Sequence, residues 1–262
     1  MSEQDISRAN WPITIAVSGK GGIGKTTIAG LIIELLTEKY DGPLLAVDAD
    51  ANANLHTTLG MEVEKTIGQL EQEVLKGIND IPAGMTKKAW IDYHLQQILV
   101  EGEGRDLLVM GRGEGPDCYC AINHILRGFL DSLSKNYQVV VIDNEAGMEH
   151  LSRRTTYHVD VLLMISDGNP VAIQAAKRID RLVDELEVQV KNRYLLLNNL
   201  RNSLPQKAKQ EIEDSDLDFV GRIPHDDKLV ELCWKGKSLS LLNSDSAAKT
   251  ALEKALNRIL PL

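Results

Sequence analysis

The stretch that most constrains this chain is Ser18-Gly19-Lys20-Gly21-Gly22-Ile23-Gly24-Lys25-Thr26-Thr27. An apolar run, Ile13 to Val17, precedes it, and Ile28 to Leu36 continues it with apolar residues at helical spacing. Strand, glycine-rich loop and helix in that order fit the pattern G-x-x-x-x-G-K-[ST], with Gly19, Gly24, Lys25 and Thr26 in the fixed places. Glycines let backbone N–H groups curl round phosphate oxygens with no Cβ in the way. The helix that follows points its positive end at the same phosphates. In such a loop Lys25 reaches the β- and γ-phosphates and the Thr26 hydroxyl ligates Mg²⁺. The residues therefore predict a nucleotide site built on Gly21, Gly22, Ile23, Gly24, Lys25, Thr26 and Thr27.

Around this loop the chain alternates strands and helices. Strands are expected over 43–48, 106–110, 138–143, 159–165, 194–199 and 219–223. The stretch 60–103 reads as mostly helical, with Ile67, Leu70, Val74 and Leu75, then Trp90, Ile91, His94, Leu95 and Ile98, at helical spacing. Asp80 to Gly84 breaks the two helices. Further helices are expected over 122–130, 170–186, 204–213, 228–234 and 247–260. Alternation of this kind predicts an α/β fold with a mainly parallel sheet and helices on both faces. At 262 residues it predicts one P-loop NTPase domain, 13–262, behind a short lead-in, 1–12. The lead-in is polar and is not read as a signal peptide. A net charge of −9 argues against a nucleic-acid surface. No stretch is long and apolar enough to span a bilayer. Three cysteines make no secreted disulfide framework, so a cytoplasmic location is expected.

A second lysine, Lys20, directly follows the first glycine. Gly-Lys-Gly-Gly-Ile-Gly-Lys-Thr-Thr resembles the deviant Walker A loop of the MinD/ParA/nitrogenase-iron-protein class. The resemblance implies that two subunits face each other across two ATP molecules, with Lys20 crossing to the partner's phosphates; the residues alone fit a solvated loop lysine equally well. Asp48-Ala49-Asp50 resembles the switch I of the class, which implies that Asp50 positions the attacking water. Ala51 stands where proline is common, a departure that leaves the loop less rigid. Without the glycine-rich loop upstream, Asp48 and Asp50 would read as a solvated turn. Val139 to Asp143 looks like a Walker B strand, with Asp143 holding Mg²⁺ through a water, and 144–151 like switch II. By the same resemblance Asn198 bonds the adenine, and Ile223, Pro224 and His225 supply backbone that closes over the base.

Cys118 and Cys120 separate members of the class. Thiolates bind zinc, nickel, Cu(I) or iron–sulfur clusters. Residues i and i+2 of an extended chain point to one side. Two sulfurs fall short of a closed tetrahedral set, so two chains sharing one ion at a twofold axis would complete it. Cys-x-Cys alone is equally compatible with packing. Cys233, in the helix over 228–234, reads as a small buried hydrophobe. The Cys-x-Cys pair and the switch II run Asp143-Asn144-Glu145-Ala146-Gly147 together resemble the CooC-type nickel-insertion ATPases of carbon monoxide dehydrogenase, or their relatives acting on acetyl-CoA synthase. That resemblance implies a cytoplasmic ATPase that hydrolyses ATP to ADP and phosphate and forms a homodimer with nucleotide or metal. It also implies nickel or zinc at the paired cysteines and an apo-dehydrogenase or apo-synthase as partner, with neither nucleic acid nor membrane. Two other readings stand beside it: a MinD/ParA-type positioning ATPase and an iron–sulfur cluster carrier. The terminal helix decides part of this, since docking on its own sheet is expected over a basic membrane-binding role.

Overall fold

The structure is a computed structural model that describes residues 12–40, 42–76, 81–112, 128–130, 132–146, 158–185, 189–201, 203–215 and 217–260. Eight strands form one sheet: β1 Ile13–Gly19, β2 Leu44–Ala49, β3 Val100–Glu101, β4 Arg105–Val109, β5 Val139–Asn144, β6 His158–Ser166, β7 Gln189–Leu200 and β8 Asp218–Pro224. Their order is β3-β4-β2-β5-β1-β6-β7-β8. Every neighbouring pair is parallel except β3 with β4. The inner strands are buried on both faces, which is why Leu44 to Val47 and Val139 to Ile142 read as unbroken apolar runs.

Helices cover both faces, as expected. On one side lie α1 (Lys25–Lys39), the short α2 (Leu55–Leu59) and, from the far end of the chain, α7 (Asp227–Trp234) and α8 (Ala247–Ile259). On the other lie α3 (Ile67–Lys76), α4 (Lys87–Gln96) and α5 (Pro170–Glu185). On that second side α6 (Gln206–Glu213) packs on α5. The cores alternate along a single strand: Ile15 and Val17 belong to the first, Ala16 to the second. The terminal helix docks as expected, with Leu252 and Leu256 buried against the sheet. Its Arg258 donates to the Val220 carbonyl at 2.9 Å and so occupies an acceptor on the β8 edge.

Three details differ from the sequence reading. The stretch 60–103 ends in β3, an antiparallel pair of residues on β4, and α4 stops at Gln96, with Ile98 buried beyond it. The strand expected over 194–199 begins at Gln189, because Gln189, Val190, Asn192 and Arg193 find partners along β6. Cys233 is exposed rather than buried. It lies one turn beyond the buried Leu229 on the same face of α7, where that face has passed the core and meets Thr27 at 3.7 Å (Sγ to Oγ1). His94 packs edge-on to Trp90, with ring centroids 4.6 Å apart. Of the helix expected over 122–130, residues 128–130 are described and are helical.

Candidate functional site

The parallel strands β1, β2 and β5 end side by side, and the chemistry gathers at those ends. Val17 and Asp48 are both register partners of Asp143. A ligand crevice at the carboxyl ends of the strands is what an open parallel sheet provides. From β1 the chain enters the glycine-rich loop. Gly22 and Gly24 hold φ of 79° and 87°, the left-handed region that a side chain disfavours. Gly24 is also pinned by a neighbour, since a Cβ there would stand 2.6 Å from Asn198 Nδ2. It precedes α1 with no side-chain cap, so the first N–H groups of the helix stay free for an anion.

Inside the loop Ile23 is buried and anchors the turn to the core. Its carbonyl accepts from Asn198 Nδ2 at 2.8 Å, a brace from β7 across the crevice. Lys25 is nearly buried and its ammonium donates to the Lys20 carbonyl at 3.4 Å. Thr26 and Thr27 are half-buried, and Lys20, Gly21 and Gly22 are exposed. The outward side chain of Lys20 is compatible with both roles that the sequence left open.

Opposite the loop stand three aspartates. Asp48 is fully buried; its two oxygens accept from the Asp50 N–H at 3.1 Å and the Leu55 N–H at 2.8 Å. Burial pushes its carboxyl up to about 6, against the pull of those two hydrogen bonds. Asp143 is 1% exposed, and among the described residues neither oxygen accepts a hydrogen bond of ordinary geometry. Burial pushes its carboxyl up to about 7; the nearby Thr26 hydroxyl opposes this, the Asp48 charge adds to it, and Lys25 opposes it again. Asn144, buried beside it, donates to the Val17 carbonyl at 3.0 Å and leaves Oδ1 without a partner. Asp50 is half-buried, and its Oδ1 accepts from Asn52.

This donor set fits Mg²⁺. Orphaned carboxylate oxygens beside a threonine hydroxyl are the hard ligands that Mg²⁺ prefers, and the ion usually completes its shell with phosphate and water oxygens. Among the described residues no three His, Cys, Asp or Glu side chains form a metal cage of their own. Thr26 and Asp143 would hold the ion, whose charge would neutralise the carboxylates and the phosphates together.

On the far side of the loop, β7 and β8 bring Asn198, Ile223, Pro224 and His225 to the same sheet end. The His225 N–H donates to the Leu200 carbonyl at 3.0 Å. The His225 ring lies between Asn199 Oδ1 at 2.6 Å and Asp227 Oδ1 at 2.9 Å. Ile223 is fully buried. Cys118, Cys120 and switch II from Gly147 onward lie outside the described residues. Sequence reasoning missed two features here: the grip of Asp48 on both ends of the turn, and the Asn52 contact with Asp50. An Asp-x-Asn spacing at a strand end was the available signal, because such side chains bond backbone two residues on.

The family profile described as the CobQ/CobB/MinD/ParA nucleotide binding domain matches residues 14–239. An uncharacterized ATP-binding protein of Methanocaldococcus jannaschii is 42% identical over 94% of this chain and 98% of its own. The carbon monoxide dehydrogenase accessory protein CooC of Rhodospirillum rubrum is 30% identical over 81% of this chain and 83% of its own. Among solved structures, the septum site-determining protein MinD of Pyrococcus horikoshii, complexed with Mg-ADP, has a TM-score of 0.68 at 21% identity and covers 95% of each chain. That likeness shows the fold.

Proposed function

The chain belongs to the CobQ/CobB/MinD/ParA nucleotide-binding family and is a P-loop ATPase, and from that premise we propose that it is a dimerising ATPase that helps load nickel into carbon monoxide dehydrogenase or acetyl-CoA synthase. What carries this reading is the likeness to the dehydrogenase accessory protein across most of both chains, joined to Cys118-Tyr119-Cys120 in the sequence. The loop from Gly21 to Thr27 binds the phosphates, with Lys25 countering their charge. Thr26 and Asp143 would hold Mg²⁺, which would supply the remaining positive charge. Asp50 orients a water on the γ-phosphorus; the new P–O bond forms as the bond to the ADP oxygen breaks, releasing ADP and phosphate. Positioning and charge stabilisation carry most of the barrier lowering in such transfers. Asn198 and the backbone of Ile223, Pro224 and His225 hold the adenine. In the dimer Lys20 reaches the partner's nucleotide, and Cys118 and Cys120 of both chains hold one nickel or zinc ion as cargo. The domain spans 13–262 behind the lead-in 1–12 and works in the cytoplasm. One feature weighs against a membrane-positioning role: α8 spends its apolar face on its own sheet.

Equilibrium dialysis of nickel and zinc into the protein tests this. One ion per two chains is expected, lost in Cys118→Ala or Cys120→Ala and kept in Cys233→Ala. One ion per chain, retained when both Cys118 and Cys120 are replaced, would refute the shared site and favour a positioning ATPase.

A further inference from the structure

We propose that Asn52 is the positioning residue that aims the Asp50 carboxylate, and that it supplies here the stiffness a proline at position 51 would give. The inference rests on the reading of Asp50 as the group that orients water. The loop between β2 and α2 is braced at two levels. At the backbone level, the buried Asp48 carboxylate ties down the Asp50 and Leu55 N–H groups, the two ends of the turn. The Ala53 N–H closes the turn on the Asp50 carbonyl at 3.0 Å. Ala53 pays for that closure with a φ of 50°, a left-handed conformation unusual for a residue with a Cβ.

At the side-chain level Asn52 acts alone. Its backbone N–H and its Nδ2 both donate to Asp50 Oδ1, at 2.8 and 3.0 Å. Two donors on one oxygen fix the plane of the carboxylate, and among the described residues Oδ2 accepts no hydrogen bond. No lysine or arginine among them holds this group. The amide therefore decides where the free oxygen points. Ala51 adds nothing to this: its N–H makes no hydrogen bond among the described residues, so the turn at that point is held by its neighbours. The same fact makes the position ready for proline, which removes a donor and restricts the residue before it, Asp50, to extended backbone.

A displacement of a reacting group on the order of 1 Å can cost about a hundredfold in rate. Losing one of two donors at a half-buried carboxylate should cost less. ATP turnover by Asn52→Ala is expected to fall about tenfold in kcat with KM for ATP within about twofold. Four variants separate the possibilities: Asp50→Ala, Asn52→Ala, the two combined, and Ala51→Pro with Asn52→Ala. If Asn52 acts through Asp50, the combined variant is no slower than Asp50→Ala alone. Proline at 51 should restore at least half of the lost kcat. Asp50→Ala turning over at the parental rate would refute the water-orienting role itself. Asp50→Ala slow but Asn52→Ala at full rate, or Asn52→Ala changing KM and sparing kcat, would overturn the positioning role alone. A folded proline variant with unrestored kcat, its melting temperature matching the parent, would overturn the stiffness claim.

Discussion

Two buried carboxylates, one on α1 and one facing its first turn, are met differently. Glu34 sits on the helix body, 4% exposed; its Oε2 accepts from Arg105 at 3.1 Å, its Oε1 lies 3.0 Å from the same guanidinium without a well-formed hydrogen bond, and Arg105 also donates to the Leu59 carbonyl. Burial raises the Glu34 carboxyl, and Arg105 pulls it back. Asp143 faces the first turn of the same helix, 1% exposed, and among the described residues it has no arginine and no well-formed hydrogen bond. Its carboxyl is pushed up to about 7. The contrast shows what each place is for. The helix body solves its charge problem within the chain. The strand ends leave theirs unsolved, which is costly for folding and suited to an arriving cation and phosphates.

The largest expected effect probes the cation the crevice does own. Lys25→Ala removes the buried ammonium and should weaken ATP binding at least about a hundredfold, roughly 3 kcal/mol, in a fluorescent-nucleotide titration. Unchanged affinity would break the comparison at its functional end. At the structural end, Arg105→Met strands Glu34 and should cost about 3 kcal/mol of stability by urea unfolding, with nucleotide affinity unchanged. A variant that weakened binding instead would erase the distinction between the two regions.

The next effect is read through pH. The folded pKa of Asp143, about 7, lies above the ordinary unfolded value of about 3.9. Between those values the folded state holds more protons than the unfolded one, so stability falls as pH rises through the window. Without nucleotide and Mg²⁺, Asp143→Asn should match the parent below about pH 4 and exceed it by at least about 2 kcal/mol at pH 8. Equal stability of the two at pH 8 would show that the charge is compensated. The smallest effect belongs to the brace across the crevice. Asn198→Ala removes the bond to Ile23 and should weaken nucleotide binding only a few fold, about 1 kcal/mol.

The sequence disclosed the two regions unequally. Strand β5 was legible because Val139 to Ile142 is an apolar run bounded by polar residues. The first half of β7 was not: Gln189-Val190-Lys191-Asn192-Arg193 looks like a loop until β6 lies beside it. Strand β3 is too short to carry any period. Lys25, Thr26 and Asp143 were legible by motif, and the structure gathers them with Asp48 at adjoining strand ends. The brace from Asn198 to Ile23 was hidden by the sequence separation of 175 between its partners. Cys233 was misread because helical spacing reports which face a residue shares, and not where the core beneath that face ends.

The central claim is that the unsolved charge at Asp143 awaits Mg²⁺ with nucleotide. The direct measurement is the Kd for ADP by calorimetry, with Mg²⁺ and with EDTA, for the parent and for Asp143→Asn. The account predicts that Mg²⁺ tightens ADP binding to the parent at least about tenfold, roughly 1.4 kcal/mol, and that Asp143→Asn binds Mg²⁺-free ADP as well as the parent does but gains little from Mg²⁺. An undiminished Mg²⁺ effect in Asp143→Asn would contradict it.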